Sequence, residues 1–367
     1  MGSLLVYVFV FVISIFAVYR FENKTSEYNL IYYSKKEFYY NFLLISIVPV
    51  ILSGERYNVG TDFQSYISIY KDIQNKNIIE LVRLSRFLEP LYIFINKSVS
   101  LFFASNFKGI FYLIAIIIFF CLFSGVLNYR KNYVFSISLS YLIFYCAFFP
   151  MTLNIQRQMI AVFIVFIAYK YLLSEEPLKY IALIFLAAGF HNTSLIMLPL
   201  FLFGLLNSKI KNISYFFISI TPLFILLLFP LVQNIELLGK YLEKYSIDSY
   251  QGVSIFRIGE MIIFLLPLLI NNKLILARYP KIINLMPVIL WSFPLITIGG
   301  FEPWANRLLY YITVLQILLH PLVVSVQPTK EKKKAWLYIF VVYYISYFLL
   351  KFMIVGNEGI FPYITYN

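Results

Sequence analysis

Hydrophobic positions in this chain of 367 residues gather into long blocks and do not alternate with polar ones. The blocks are rich in Ile, Leu, Phe, Val and Tyr and are apolar on every side, which suits a helix crossing about 30 Å of hydrocarbon in about 20 residues. A barrel strand would instead alternate apolar and polar positions. The pattern predicts about twelve transmembrane helices, near 3–19, 38–53, 109–127, 134–150, 158–173, 179–190, 194–206, 213–232, 253–271, 282–299, 308–326 and 335–355. No basic residue precedes the first block, so it lacks the charged leader of a signal peptide and reads as a retained span. No internal repeat or separate soluble domain stands out, so residues 1–367 read as one integral membrane domain.

Two stretches depart from the simple pattern. Residues 87–105 are long enough to cross but carry Glu89, Pro90, Asn96 and Lys97, and read as an amphipathic or re-entrant segment on one membrane face. Residues 178–206 are interrupted at His191-Asn192-Thr193-Ser194 and read as two short helices joined there. Charge supports both readings. With these assignments, Lys and Arg are about two to three times denser in the inner loops than outside, as the positive-inside rule requires. Making 178–206 one span would send Lys330, Lys332, Lys333 and Lys334 outside. The expected topology therefore has both termini facing out and one large outer loop at 54–108 with amphipathic helices, an all-α polytopic plan.

Composition agrees. The chain is 61% hydrophobic, 20% aromatic and 13% charged, with mean hydropathy +0.80; a soluble domain carries about 25% charged residues. The net charge of +13 is accounted for by inner loops, so no nucleic-acid partner is invoked. Cys121 and Cys146 lie in apolar blocks and read as buried hydrophobes, with neither disulfide nor metal spacing. No phosphate-binding glycine loop or zinc motif occurs, and no cofactor is called for.

The charges that orientation leaves unexplained lie at the outer ends of spans: Arg56, Arg157, Arg257 and Arg307. Guanidinium groups bind phosphate oxygens bidentately, and four at one depth point to a shared anionic partner. The alternative is that each snorkels or pairs with an acid such as Glu55, Glu260 or Glu302. Between Glu55 and Tyr66, Gly60 permits a turn bringing Arg56 and Asp62 together. Tyrosine beside a carboxylate suits sugar hydroxyls, although Asp62 also reads as the N-cap of a helix over 63–73. The step Asn154-Ile155-Gln156-Arg157-Gln158, where a helix re-enters the membrane, is too polar for packing alone. His191, at the hairpin tip, is suited to phosphate binding or proton transfer. His320 has no polar company in sequence and reads as structural, and Glu260 reads as an i, i+3 partner of Arg257.

Taken in order, Arg56-x3-Gly60-x-Asp62-x3-Tyr66, Glu89-x-Leu91-Tyr92, Asn154-x2-Arg157-Gln158-x2-Ala161, His191-x2-Ser194 and Arg307-x2-Tyr310 resemble the EpsG-like family of Wzy-type polysaccharide polymerases over about 55–310. The resemblance implies a GT-C-like glycosyltransferase of the bacterial inner membrane, with both termini, the 54–108 loop and the active site facing the periplasm, as in O-antigen or capsule synthesis. A growing glycan on undecaprenyl pyrophosphate would be transferred en bloc onto an incoming lipid-linked repeat unit, without nucleotide sugars. A Wzz-like chain-length regulator is the implied protein partner, beside the surrounding membrane lipids. On this reading Arg157 and Arg307 hold the pyrophosphate, supported by Arg56 and Arg257. Asp62 is placed first as general base, with His191 and Glu89 as alternatives. Tyr66, Tyr92, Asn154, Gln158 and Tyr310 contact glycan. An O-antigen ligase shares this donor and arginine logic. A flippase or transporter predicts inverted repeats and midplane polar residues, whereas the polar groups here gather at the outer face.

Overall fold

The computed structural model describes residues 2–27, 34–85, 88–103, 106–202, 255–300 and 303–365. Among these the chain is helical without a β-strand; one antiparallel bridge joins Arg56 to Thr365. Among the described residues eight helices are long and apolar enough to cross a membrane: Gly2–Lys24, Lys35–Glu55, Lys108–Arg130, Ile137–Asn154, Gln156–Leu173, Arg257–Arg278, Pro280–Ile298 and Lys330–Ile354. A ninth is formed if Asn306–Thr313 and Gln316–Ser325, bent by 42°, act as one span. These correspond to nine of the expected spans. Those expected near 179–190 and 194–206 are the shorter apolar helices Pro177–Ala188 and Asn192–Phe201, and the one near 213–232 lies outside the described residues, as does Glu302.

The elements that position the functional side chains are α1 (Gly2–Glu27), α2 (Lys35–Glu55), α3 (Phe63–Asn75), α4 (Ile78–Leu84), α5 (Pro90–Phe102) and α6 (Lys108–Arg130). They continue with α7 (Ile137–Ile143), α8 (Phe149–Asn154), α9 (Gln156–Leu173) and α10 (Pro177–Ala188). Local chemistry sets several boundaries. Ser34 and Glu37 form a reciprocal capping box at the start of α2. The Glu22 carboxylate reaches across from α1 to the start of α7, accepting from the amides of Ile137 (2.8 Å) and Ser138 (2.8 Å), where helix N-terminal N–H groups lack partners of their own. The end of α2 lies so close to α6 that a Cβ on Gly54 would meet the Tyr112 ring at 2.4 Å.

The core is a contiguous apolar cluster in which α7, α8 and α9 are central. The apolar stretch of Ile137–Asn154 is 89% buried, against 28% for that of Gly2–Lys24, so the first is an interior helix and the second presents Leu5, Phe9, Val12 and Phe16 to the surroundings. Its middle turn, Phe144–Phe148, widens to a π-helix. At Ile155 the backbone leaves helical geometry (φ −86°, ψ 56°) before α9 begins, and the polar step seen in sequence is this break. Within 87–105 the described residues 88–103 hold the 13-residue α5, about 20 Å long and too short to cross by itself. His320 does have polar company: Tyr344 Oη lies 2.7 Å from its Nδ1 and the Phe264 carbonyl 3.2 Å from its Nε2. Those contacts are made wholly inside the core, so its role remains structural.

Candidate functional site

The starts of α5 and α9 and the segment after α10 converge on Glu89. Glu89 holds the N-cap position of α5, with Pro90 at the first helical turn, where proline's missing N–H costs nothing. Its carboxylate makes no bond to its own helix. Arg157 Nη1 donates to Glu89 Oε2 at 2.7 Å, and His191 Nδ1 lies 2.8 Å from Oε1. The Asn192 amide approaches the same oxygen at 3.4 Å. A carboxylate can only accept, so Nδ1 carries the proton and Nε2 is the nitrogen left to exchange one. Burial opposes the charge of Glu89, but the hydrogen bond from His191 and the charge of Arg157 outweigh it and hold the carboxyl below its ordinary range.

Three separated pieces of chain build this contact. The amides of Leu91 and Tyr92 donate to the Gly189 carbonyl at 2.9 and 3.3 Å, tying the start of α5 to the end of α10 just before His191. Arg157 is the second residue of α9, after the break at Ile155. Its guanidinium carbon lies 5.5 Å from the centre of the Tyr92 ring, and Tyr66 meets Tyr92 edge-on at 6.3 Å. Burial pushes the Tyr66 phenol up to about 12, against the lowering effect of Arg157. Both rings are buried, so they form the floor beneath Arg157.

Asn154 organises a second cluster. Its Oδ1 accepts from Thr61 Oγ1 (3.0 Å) and the Asp62 amide (2.8 Å), and its Nδ2 donates to Glu358 Oε2 (2.6 Å). Asp62 occupies the N-cap position of α3 without a side-chain capping bond, so its half-buried carboxylate is not committed to the helix. Gly60 has φ +95°, and a Cβ there would meet the Leu153 carbonyl at 2.7 Å, so the turn needs glycine both for conformation and for space. Sequence reasoning missed Glu358. The segment around it folds back onto this turn, with Gly60 N donating to Gly359 O (2.9 Å) and Tyr57 N to Ile364 O (2.7 Å). Glu358 itself has φ 69°, and a non-glycine residue in that region carries strain that its surroundings must hold. The only sequence signal was an acid between glycines at 356–359.

The four arginines do not share one environment. Arg56 is fully buried. Its Nη1 donates to the Ser53 carbonyl and its Nε to the Val59 carbonyl at 3.3 Å, and the group lies 4.3 Å from the centre of the Phe111 ring. The Gly60 turn thus closes Arg56 onto Val59 rather than onto Asp62. Burial lowers its pKa to about 10, leaving it charged at neutral pH as a clamp on the turn. Arg307 is exposed, and its carbonyl accepts from Gln158 Nε2 at 2.9 Å, which brings the Arg307 turn beside α9 and gives Gln158 a tethering role. Arg257 makes the i, i+3 contact with Glu260 read from sequence (2.7 Å), and lies 3.4 Å from the Tyr310 hydroxyl. Lys351, which sequence reasoning passed over, donates to the other oxygen of Glu260 at 2.8 Å. Its signal was a lone lysine within an apolar block. Among the described residues no group of His, Cys, Asp and Glu is placed to hold a metal ion.

The site therefore offers a carboxylate that fixes an imidazole tautomer, a guanidinium with donors still available, a neighbouring second carboxylate and a tyrosine floor. These groups can take a proton from a hydroxyl and stabilise a departing anion. Comparison with known proteins returns one family: the model described as EpsG family matches residues 39–365. No curated protein and no solved structure matches the chain.

Proposed function

The chain belongs to the EpsG family, a group of polysaccharide-biosynthesis membrane proteins, and on that premise we propose that it is a polysaccharide polymerase using polyprenyl-pyrophosphate-linked glycans. The observation that carries this reading is Glu89 held between Arg157 and His191. In the proposed reaction the acceptor hydroxyl oxygen attacks the anomeric carbon of the donor glycan. His191 Nε2 receives the hydroxyl proton while Glu89 stabilises the imidazolium, the relation a carboxylate and histidine have in hydrolase triads. The bond from the anomeric carbon to the pyrophosphate oxygen breaks, and its electron pair leaves with undecaprenyl pyrophosphate. Arg157 and Arg307 meet that developing charge. Asp62, with Tyr66 and Tyr92 nearby, contacts the sugar, which moves the base role from Asp62 to His191 because only His191 has an orienting partner.

The same reading includes a bacterial inner-membrane location, twelve spans with both termini and the 54–108 loop on the periplasmic side, and a Wzz-like length regulator as partner. Its test is a polysaccharide ladder from cells lacking the gene, complemented at matched membrane levels by wild type, Glu89→Gln or Arg157→Ala. Wild type restores the ladder, and each variant leaves single repeats only. Loss of the single-repeat product as well would indicate ligation or translocation, and normal ladders from both variants would remove Glu89 and Arg157 from the reaction.

A further inference from the structure

The second charged cluster carries more charge than its own neutrality requires. Glu260 is held by Arg257 on one oxygen and by Lys351 on the other, with the Tyr347 hydroxyl also donating at 2.8 Å. One arginine neutralises one carboxylate, so the lysine is surplus. Its side chain is only 10% exposed, a costly position for an unmatched ammonium within an apolar helix. Lys351 is brought there by a widened π-helical segment, Leu349–Ile354, a distortion that recurs at functional positions.

Beside these groups lies a cavity of about 610 Å³, within the range of small-molecule pockets. Arg257, Glu260 and Lys351 line it together with Ile263, Leu350 and Val355. A net positive charge in a lining that is mostly apolar by area, though Asn306, Ser346 and Asn357 also reach it, matches an amphiphile with a phosphate-bearing head and an acyl or prenyl chain. We propose that this cavity binds one such lipid, its phosphate on Arg257 and Lys351 and its chain along Ile263 and Leu350. Where the occupant is a polyprenyl carrier, the inference rests on the polymerase reading above; where it is a membrane phospholipid, it does not. The cavity adjoins the glycan site through the chain itself: Asn357 lines the cavity, and the next residue, Glu358, holds Asn154.

The test uses the full chain, delipidated in a neutral detergent, with lipid binding read by native mass spectrometry. The probes are polyprenyl monophosphate, phosphatidylglycerol and phosphatidylcholine. Lys351→Gln removes the surplus charge while leaving Glu260 its Arg257 and Tyr347 partners, and Ser346→Phe fills the cavity without touching a charge. The expected result is binding of both anionic lipids, weakened roughly tenfold or more in each variant, as for loss of a charge-assisted contact or of the chain's space. Preference for polyprenyl phosphate assigns the carrier; equal or greater affinity for phosphatidylglycerol assigns a membrane phospholipid. Phosphatidylcholine binding as tightly as the anionic lipids, or both variants binding like wild type, overturns the proposal. Lipid binding that persists where no chain extension can be detected leaves this inference standing and removes the polymerase reading; extension with charge-blind lipid binding does the reverse.

Discussion

Glu89 and Glu260 are both largely buried carboxylates gripped by two basic groups, yet the two regions differ in what the grip leaves over. Glu89 faces one arginine and one imidazole, so the second partner has a ring nitrogen, Nε2, turned away from the carboxylate and able to take a proton. Glu260 faces an arginine and a lysine, and what remains is a net positive charge beside a largely apolar cavity. The first arrangement can move a proton and the second can only hold an anion. Their frameworks differ too. Glu89 is approached by segments far apart in sequence, the first turn of α9 and the residues just after α10, whereas Glu260 lies within Ile255–Arg278 and draws its lysine from the far end of Lys330–Ile354. The identity of the second basic group, rather than burial, separates a carboxylate that orients an imidazole from one that only balances charge.

The sharpest way to break this comparison is to neutralise each acid in turn. Glu89→Gln keeps the shape but loses the charge that stabilises the imidazolium, and extension measured at matched membrane levels falls by about 10²–10⁴-fold, the range for general-base catalysis. It also removes a pH dependence of stability. Because the folded-state pKa of Glu89 is lowered, its stabilisation is fully present above the unfolded value of about 4.3 and is lost as pH falls through the lower folded value. Thermal unfolding of the wild type in detergent should therefore decline more steeply in acid than that of the variant. An unchanged extension rate would put the two acids in the same class.

Glu260→Gln acts in the other direction. It leaves Arg257 and Lys351 facing each other without a counter-ion, and thermal unfolding should report a loss of about 3–5 kcal/mol, the range for breaking a buried pair. A melting temperature equal to wild type would show that the two cations do not depend on Glu260. Gly60→Ala tests the turn that presents Asp62. With φ +95° and a carbonyl 2.7 Å from the new Cβ, the cost is about 1–3 kcal/mol of stability, read as a lowered melting temperature. Glu358→Gln has the smallest effect, since a neutral carbonyl can still accept from Asn154 at a loss of about 1 kcal/mol. The expected readout is a several-fold rise in acceptor KM with kcat little changed; a fall in kcat alone would place Glu358 in the chemistry instead of in positioning.

Much of this was legible in the sequence because membrane helices announce themselves locally. The blocks near 3–19, 109–127 and 335–355 became helices for reasons contained within each block, since length and apolarity suffice where the backbone must satisfy itself. The polar interruption at 154–158 likewise became a helix break, and 87–105 a helix too short to cross, because Asn, Arg and Pro are disfavoured inside an uninterrupted span. Lys351 and Glu358 were harder to read: one looked like an isolated charge in an apolar run and the other like part of a trailing end. Each acquires its role only from a partner far along the chain, Glu260 or Asn154.

The amino-acid order alone determined the class of protein, nearly all of its long helices and the residues in which chemistry could reside, since these depend on hydropathy, helix length and side-chain type. Only the tertiary structure decided that Glu89, Arg157 and His191 meet, that Arg56 turns inward to clamp a loop, and that the end of the chain returns to the 60–62 turn. The physical reason is that a proton-transfer geometry depends on distances of about 3 Å between side chains. Those distances are set by how helices pack and by which backbone groups their ends must satisfy, which no spacing along a single chain records.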